Sequence, residues 1–137
     1  MKMASKGSIL IVDDEMGSRE ALRIIFRPMY KVHTACNGVE ALDCIRKENI
    51  DLVFLDLQMP GLSGFDVLKE IRKINERVAV IVITGLEAAS NVRKAIQEGA
   101  GGYISKPFNI ADIIAVANNT FEQRNSSAKQ GHSSPTD

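Results

Sequence analysis

The chain has 137 residues, 45% hydrophobic and 25% charged, which suits one domain large enough to bury a core without disulfide or metal staples. Lys+Arg and Asp+Glu both number 17, so the formal net charge is zero. That balance excludes the broad basic field of a nucleic-acid or membrane-surface binder, and any ion or phosphate site must be local.

Residues 1–7 form a short polar extension. The run Ile9–Val12 is apolar and β-branched, as expected of a strand covered on both faces, and it stops at Asp13-Asp14-Glu15. It is shorter than the about 7–15 apolar residues of a secretory signal core. Leu22, Ile25, Phe26 and Met29 then follow the rhythm of a helix face. Tyr30-Lys31-Val32-His33-Thr34 is more mixed and reads as an edge strand.

Asn37 with Glu40 resembles a capping box opening a second helix. Leu52–Leu55 is a third strand, ending at Asp56. Ser63 with Asp66 marks the start of a third helix carrying Val67, Leu68 and Ile71. The fourth strand, Val78–Ile83, ends in Thr84-Gly85 and falls far short of the roughly 18 residues that span a bilayer.

Val92, Ala95 and Ile96 predict a fourth helix closed by Gly99. Gly102–Ser105 is a short edge strand leading into Lys106-Pro107. Asn109 caps a last helix with Ile110, Ile113, Ile114, Ala117 and Phe121. Residues 124–137 lose all apolar periodicity and read as a disordered tail or linker, leaving 8–123 as the domain. Strict β–α alternation implies an α/β, doubly wound fold with right-handed crossovers.

In such a sheet, ligands sit beyond the carboxyl ends of the strands. Those ends deliver Asp13-Asp14-Glu15, Asp56, Thr84-Gly85 and Lys106. Each has an ordinary use alone: helix-start acids, a turn aspartate, a loop or cap threonine, a solvated lysine. Caps and turns do not explain carboxylates on two central strands together with a lysine on another. Asp13, Asp14 and Asp56 would repel one another without a cation, and a hard oxygen site suits Mg2+. Asp56 is then a plausible nucleophile for an aspartyl phosphate, with Lys106 and Thr84 as partners for phosphoryl oxygens. Gly85 leaves room beside that group. Cys36 and Cys44 form no metal-ligand spacing, and two free thiols fit a reducing cytoplasm. His33 and His132 are isolated, giving a zinc site or triad nothing to build on.

The segments ILIVDDE at 9–15, DLQMPGLSG at 56–64, ITG at 83–85 and YISKPF at 103–108 together resemble the receiver domain of two-component response regulators, over roughly residues 7 to 123. The resemblance implies a flavodoxin-like (βα)5 three-layer sandwich with a parallel five-stranded sheet of order 2-1-3-4-5. It implies that Asp56 accepts a phosphoryl group from a phosphohistidine on a sensor histidine kinase or histidine phosphotransfer protein. Mg2+ would be held by Asp13, Asp14, Asp56 and the main-chain carbonyl of Gln58. Lys106 would contact the phosphate, with a cis bond to Pro107. Thr84 and Tyr103 would be the switch pair.

The expected readout face is helix 4, strand 5 and helix 5, including Asn91, Arg93, Lys94, Tyr103 and Ser105. An output domain or downstream protein is the expected target, and a phosphorylation-dependent homodimer is compatible with the resemblance. Direct nucleic-acid or membrane contact is not expected. Gln58 and Leu86 flank the phosphoryl site, and the apolar Leu86 predicts slow loss of the phosphoryl group.

Rival readings are a degenerate receiver acting as a constitutive interaction module, a Mg2+-dependent aspartyl-phosphate phosphatase and a flavin-binding module. The first is countered by the five site residues in place. The second lacks its Asp-x-Asp and cap insertion, and the third would need a phosphate loop where the chain places acids. A stand-alone receiver, one from a regulator with an output domain and one from a hybrid kinase all remain open.

Overall fold

Side chains alternate along each strand, and here both faces of the sheet are covered, so the core divides in two. The computed structural model describes residues 6–59, 61, 63–85 and 89–133, with the side chains of the last helix described to Arg124. The strands are β1 (Ser8–Val12), β2 (Lys31–Ala35), β3 (Leu52–Asp56), β4 (Ala79–Thr84) and β5 (Gly102–Ser105). The helices are α1 (Met16–Phe26), α2 (Gly38–Lys47), α3 (Gly64–Ile74), α4 (Ala89–Gln97) and α5 (Ile110–Ser133). All strands pair in parallel, in the order β2-β1-β3-β4-β5 expected from the resemblance.

Leu10, Val12, Val53, Leu55, Val80 and Val82 pack toward Leu42, Ile45, Leu68, Ile71 and Ala95 on the α2–α3–α4 side. Ile9, Ile11, Leu52, Phe54, Ile81 and Ile83 face Leu22, Phe26, Ile113, Ala117 and Phe121 on the α1–α5 side. Phe26 stacks on Phe54 with ring centroids 5.4 Å apart. This two-sided burial explains the unbroken apolar runs of the central strands.

The predicted caps form. Asn37 and Ser63 accept from the N–H groups of Glu40 and Asp66, and Asn109 accepts from that of Asp112. Glu40 reaches back to the N–H of Cys36, one residue before the cap, instead of to that of Asn37 as a strict capping box would have it. Gly99 follows α4 at φ +110°, where a side chain would strain the backbone and meet Arg72.

Four details differ from the sequence reading. Helix α1 stops at Phe26, before Met29, because Pro28 has no N–H to continue the ladder. Ile96 and Ile110, expected on core faces, are exposed. The α5 backbone runs to Ser133, past the tail boundary expected at Arg124, since no proline interrupts it. Arg124 itself reaches back to the domain, donating to the Arg77 carbonyl at 2.6 Å.

Candidate functional site

Register aligns the strand ends. Val12 lies opposite both Ala35 and Leu55, Asp56 opposite Ile83, and Thr84 opposite Ser105, so the residues after them gather at one edge. Asp13 extends the β1–β2 pairing by donating its N–H to the Ala35 carbonyl at 3.1 Å. Its side chain is buried, and Oδ1 accepts the Glu15 N–H at 2.9 Å. Asp14 is exposed beside it. Asp56, the last residue of β3, is buried; its Oδ1 accepts the Gln58 N–H at 2.8 Å and its Oδ2 stands 3.3 Å from Lys106 Nζ.

One carboxylate oxygen from each of Asp13, Asp14 and Asp56 lies within 4.8 Å of the others. Burial raises the Asp13 carboxyl above its ordinary value; the Glu15 N–H opposes this, and the neighbouring Asp56 charge adds to it. Glu15, also in the acidic run, accepts from Ser18 Oγ instead of joining the cluster.

Thr84 ends β4 and is only 2% exposed, yet among the described residues its hydroxyl has no hydrogen-bond partner. A buried hydroxyl normally has one. Its carbonyl accepts the Lys106 N–H at 2.7 Å, coupling the ends of β4 and β5. The Lys106–Pro107 bond is cis, as expected. A Cβ on Gly85 would sit 3.5 Å from the Gln58 side-chain amide, an ordinary van der Waals contact.

Tyr103 lies on β5 opposite Val82 and is 52% exposed. Leu86 lies outside the described residues. Lys94, named for the expected readout face, is exposed and holds its Nζ over the α3 ring of Phe65, 4.5 Å from the centroid.

Two contributors were missed. Arg19 Nη1 donates to the Asp13 carbonyl at 2.9 Å, a contact whose only sequence trace is a basic residue one turn into α1. Gly64 allows α3 to start against β3's exit, where a Cβ would come 2.6 Å from Leu57 Cα. Its trace is the glycine after the cap Ser63. Hard carboxylate oxygens, two of their residues buried and, among the described residues, only one ammonium within salt-bridge distance, fit a small divalent cation that retains water.

Among the described residues no helix is long and apolar enough to cross a membrane. The family model described as the response regulator receiver domain matches residues 9–118. Sporulation initiation phosphotransferase F of Bacillus subtilis is 39% identical over 106 residues, covering 77% of this chain and 86% of that protein. Response regulator MprA of Mycobacterium sp. (strain KMS) is 37% identical over 109 residues, or 78% of this chain, which spans only 47% of that relative's length. A solved response regulator receiver domain from Clostridium thermocellum is 34% identical and superposes with a TM-score of 0.81 over 87% of this chain and 97% of the other. With fold, carboxylate cluster and motifs in agreement, the chain belongs to the receiver domain family of two-component response regulators.

Proposed function

We propose that the protein is a phosphorylation-controlled switch in which Asp56 takes a phosphoryl group from a phosphohistidine of a sensor histidine kinase or histidine phosphotransfer protein. The observation that carries this is the buried Asp56, paired with Lys106 and set among Asp13 and Asp14 at the carboxyl edge of the sheet. An Asp56 carboxylate oxygen forms the new bond to phosphorus as the P–N bond to the donor imidazole breaks. The imidazole departs with the electron pair of that bond.

Asp13, Asp14 and Asp56 would hold Mg2+, together with the main-chain carbonyl of Gln58. When bound, Mg2+ neutralises the charge that would otherwise keep an anionic phosphoryl group from an anionic carboxylate. Lys106 pairs with a phosphoryl oxygen. Thr84 donates its unpartnered hydroxyl to another, and the Tyr103 ring moves inward into the space released. That rearrangement biases α4, β5 and α5, which face an output domain, a downstream protein or a second copy of the chain. The chain acts only on its own phosphorylation state, and the two free thiols suit a cytoplasmic setting.

The experiment is the intact mass of the chain after incubation with Mg2+ and acetyl phosphate. One phosphoryl adduct is expected, absent from Asp56→Asn. No adduct on the native chain, or one that survives the substitution, overturns the reading.

A further inference from the structure

We propose that Arg19 is a positioning residue that aims both Asp13 and Asp14 by holding the carbonyl between them. This rests on the Mg2+ reading of the carboxylate cluster. Strand β1 ends at Val12, and the first backbone bond of α1 runs from the Arg19 N–H to the Glu15 carbonyl at 3.0 Å. The Asp13 carbonyl therefore lies after the sheet ladder and before the helix ladder. Arg19 reaches back one turn and supplies its donor, Nη1 at 2.9 Å.

That carbonyl belongs to the planar peptide joining Asp13 to Asp14. Fixing the plane fixes the two Cα atoms from which both carboxylates project. The effect on the two residues differs. Asp13 is also held by its own N–H to Ala35 and by the Glu15 N–H on its Oδ1. Asp14 is exposed, and among the described residues its side chain makes no hydrogen bond, so its direction depends on the backbone. Arg19 is thus the tie on which Asp14 depends most.

The guanidinium is free for this work. Arg23, one turn on, spends its charge on Glu20 at 2.8 Å, whereas Arg19 is half-buried and pairs with no carboxylate among the described residues. Groups that orient metal ligands commonly change metal affinity by about 10- to 100-fold when lost. An exposed ligand held only through its backbone belongs near the lower end of that range.

The test uses Mg2+ titration by calorimetry, the 15N shift of the Asp14 amide in metal-free protein, and acetyl phosphate adduct formation across Mg2+ concentrations. Arg19→Met is expected to move the Asp14 amide and weaken Mg2+ binding about 10-fold. At saturating Mg2+ its rate should return to within about 3-fold of the native one, because Asp56 and Lys106 are untouched. Arg23→Met should change none of these. Arg19→Lys and Arg19→Gln keep a donor on a shorter stem and also serve if the methionine variant unfolds. Affinity that tracks the Asp14 shift across the variants supports positioning.

Unchanged Mg2+ affinity in the Arg19 variants, or affinity unrelated to the Asp14 shift, overturns the inference and leaves the phosphoacceptor reading intact. Native protein that neither binds Mg2+ nor needs it for the adduct removes the metal reading itself.

Discussion

Lys106 Nζ lies 3.3 Å from Asp56 Oδ2 and is the only cationic side chain within salt-bridge distance of the three clustered aspartates among the described residues. The pair is lopsided, since the lysine side chain is 39% exposed and the aspartate 4%. Solvent screens the lysine, so its loss in Lys106→Met is expected to cost about 1 kcal/mol of metal-free stability. The same change removes a charge that competes with a divalent cation for Asp56. Mg2+ affinity should therefore hold or rise while adduct formation falls at least about 10-fold. A parallel drop in Mg2+ affinity and adduct yield would show that the lysine shapes the site instead of meeting the phosphoryl group.

Thr84 gives a prediction with two opposite signs. Its buried hydroxyl lacks a partner among the described residues, and such a group costs free energy compared with an apolar one of the same shape. Thr84→Val should raise the thermal midpoint of the unphosphorylated protein, by about 1 kcal/mol of stability. After phosphorylation the variant should keep the Tyr103 ring signals in their starting environment, whereas the native ring signals shift. A variant less stable than native would mean the hydroxyl is satisfied in solution.

Local chemistry decides how much of this could be read in advance. The carboxylates of Asp13, Asp14 and Asp56 were legible because strand ends are marked by where apolar runs stop, and parallel register then brings those ends together. Asn37 and Ser63 were legible because caps act within four residues. Arg19, Lys94 and Gly64 were not, since each depends on where a side chain or backbone arrives in space: at a carbonyl, over the Phe65 ring, against Leu57. Ile96 and Ile110 satisfied helix periodicity yet lie outside the core, because a periodic face extends beyond the neighbour that covers it.

The buried Asp13 ties stability to pH. Burial raises its carboxyl above the ordinary value of 3.8, so the folded chain binds this proton more tightly than the unfolded chain does. That contribution is full below the unfolded value and is lost as pH rises through the folded one. Asp13→Asn keeps an oxygen for the Glu15 N–H and carries no charge. Without Mg2+, its gain in thermal midpoint over the native protein should be smallest in acid and grow as pH rises. A gain that shrinks with rising pH would reverse the sign and defeat the assignment.

Helix α4, which adjoins the proposed switch, is tied to α3 by three contacts of unequal strength. Lys94 sits over Phe65, Lys69 is 3.9 Å from Glu98, and Arg72 Nε donates to the Gly99 carbonyl at 3.0 Å. The lysine pair is exposed and long, so Lys69→Met should change stability by less than about 0.5 kcal/mol. Arg72 is different in kind. Its guanidinium also donates to the Asn75 and Glu76 carbonyls, closing the end of α3 while it holds the end of α4. Arg72→Met leaves those carbonyls without their charged donor and should cost about 2 kcal/mol, read by urea unfolding. Amide exchange should speed up in α4 and at the end of α3, with β1 and β3 protected nearly as before. Equal effects from the two substitutions would mean that α4 is held by burial of Ala95 alone and that the arginine is incidental.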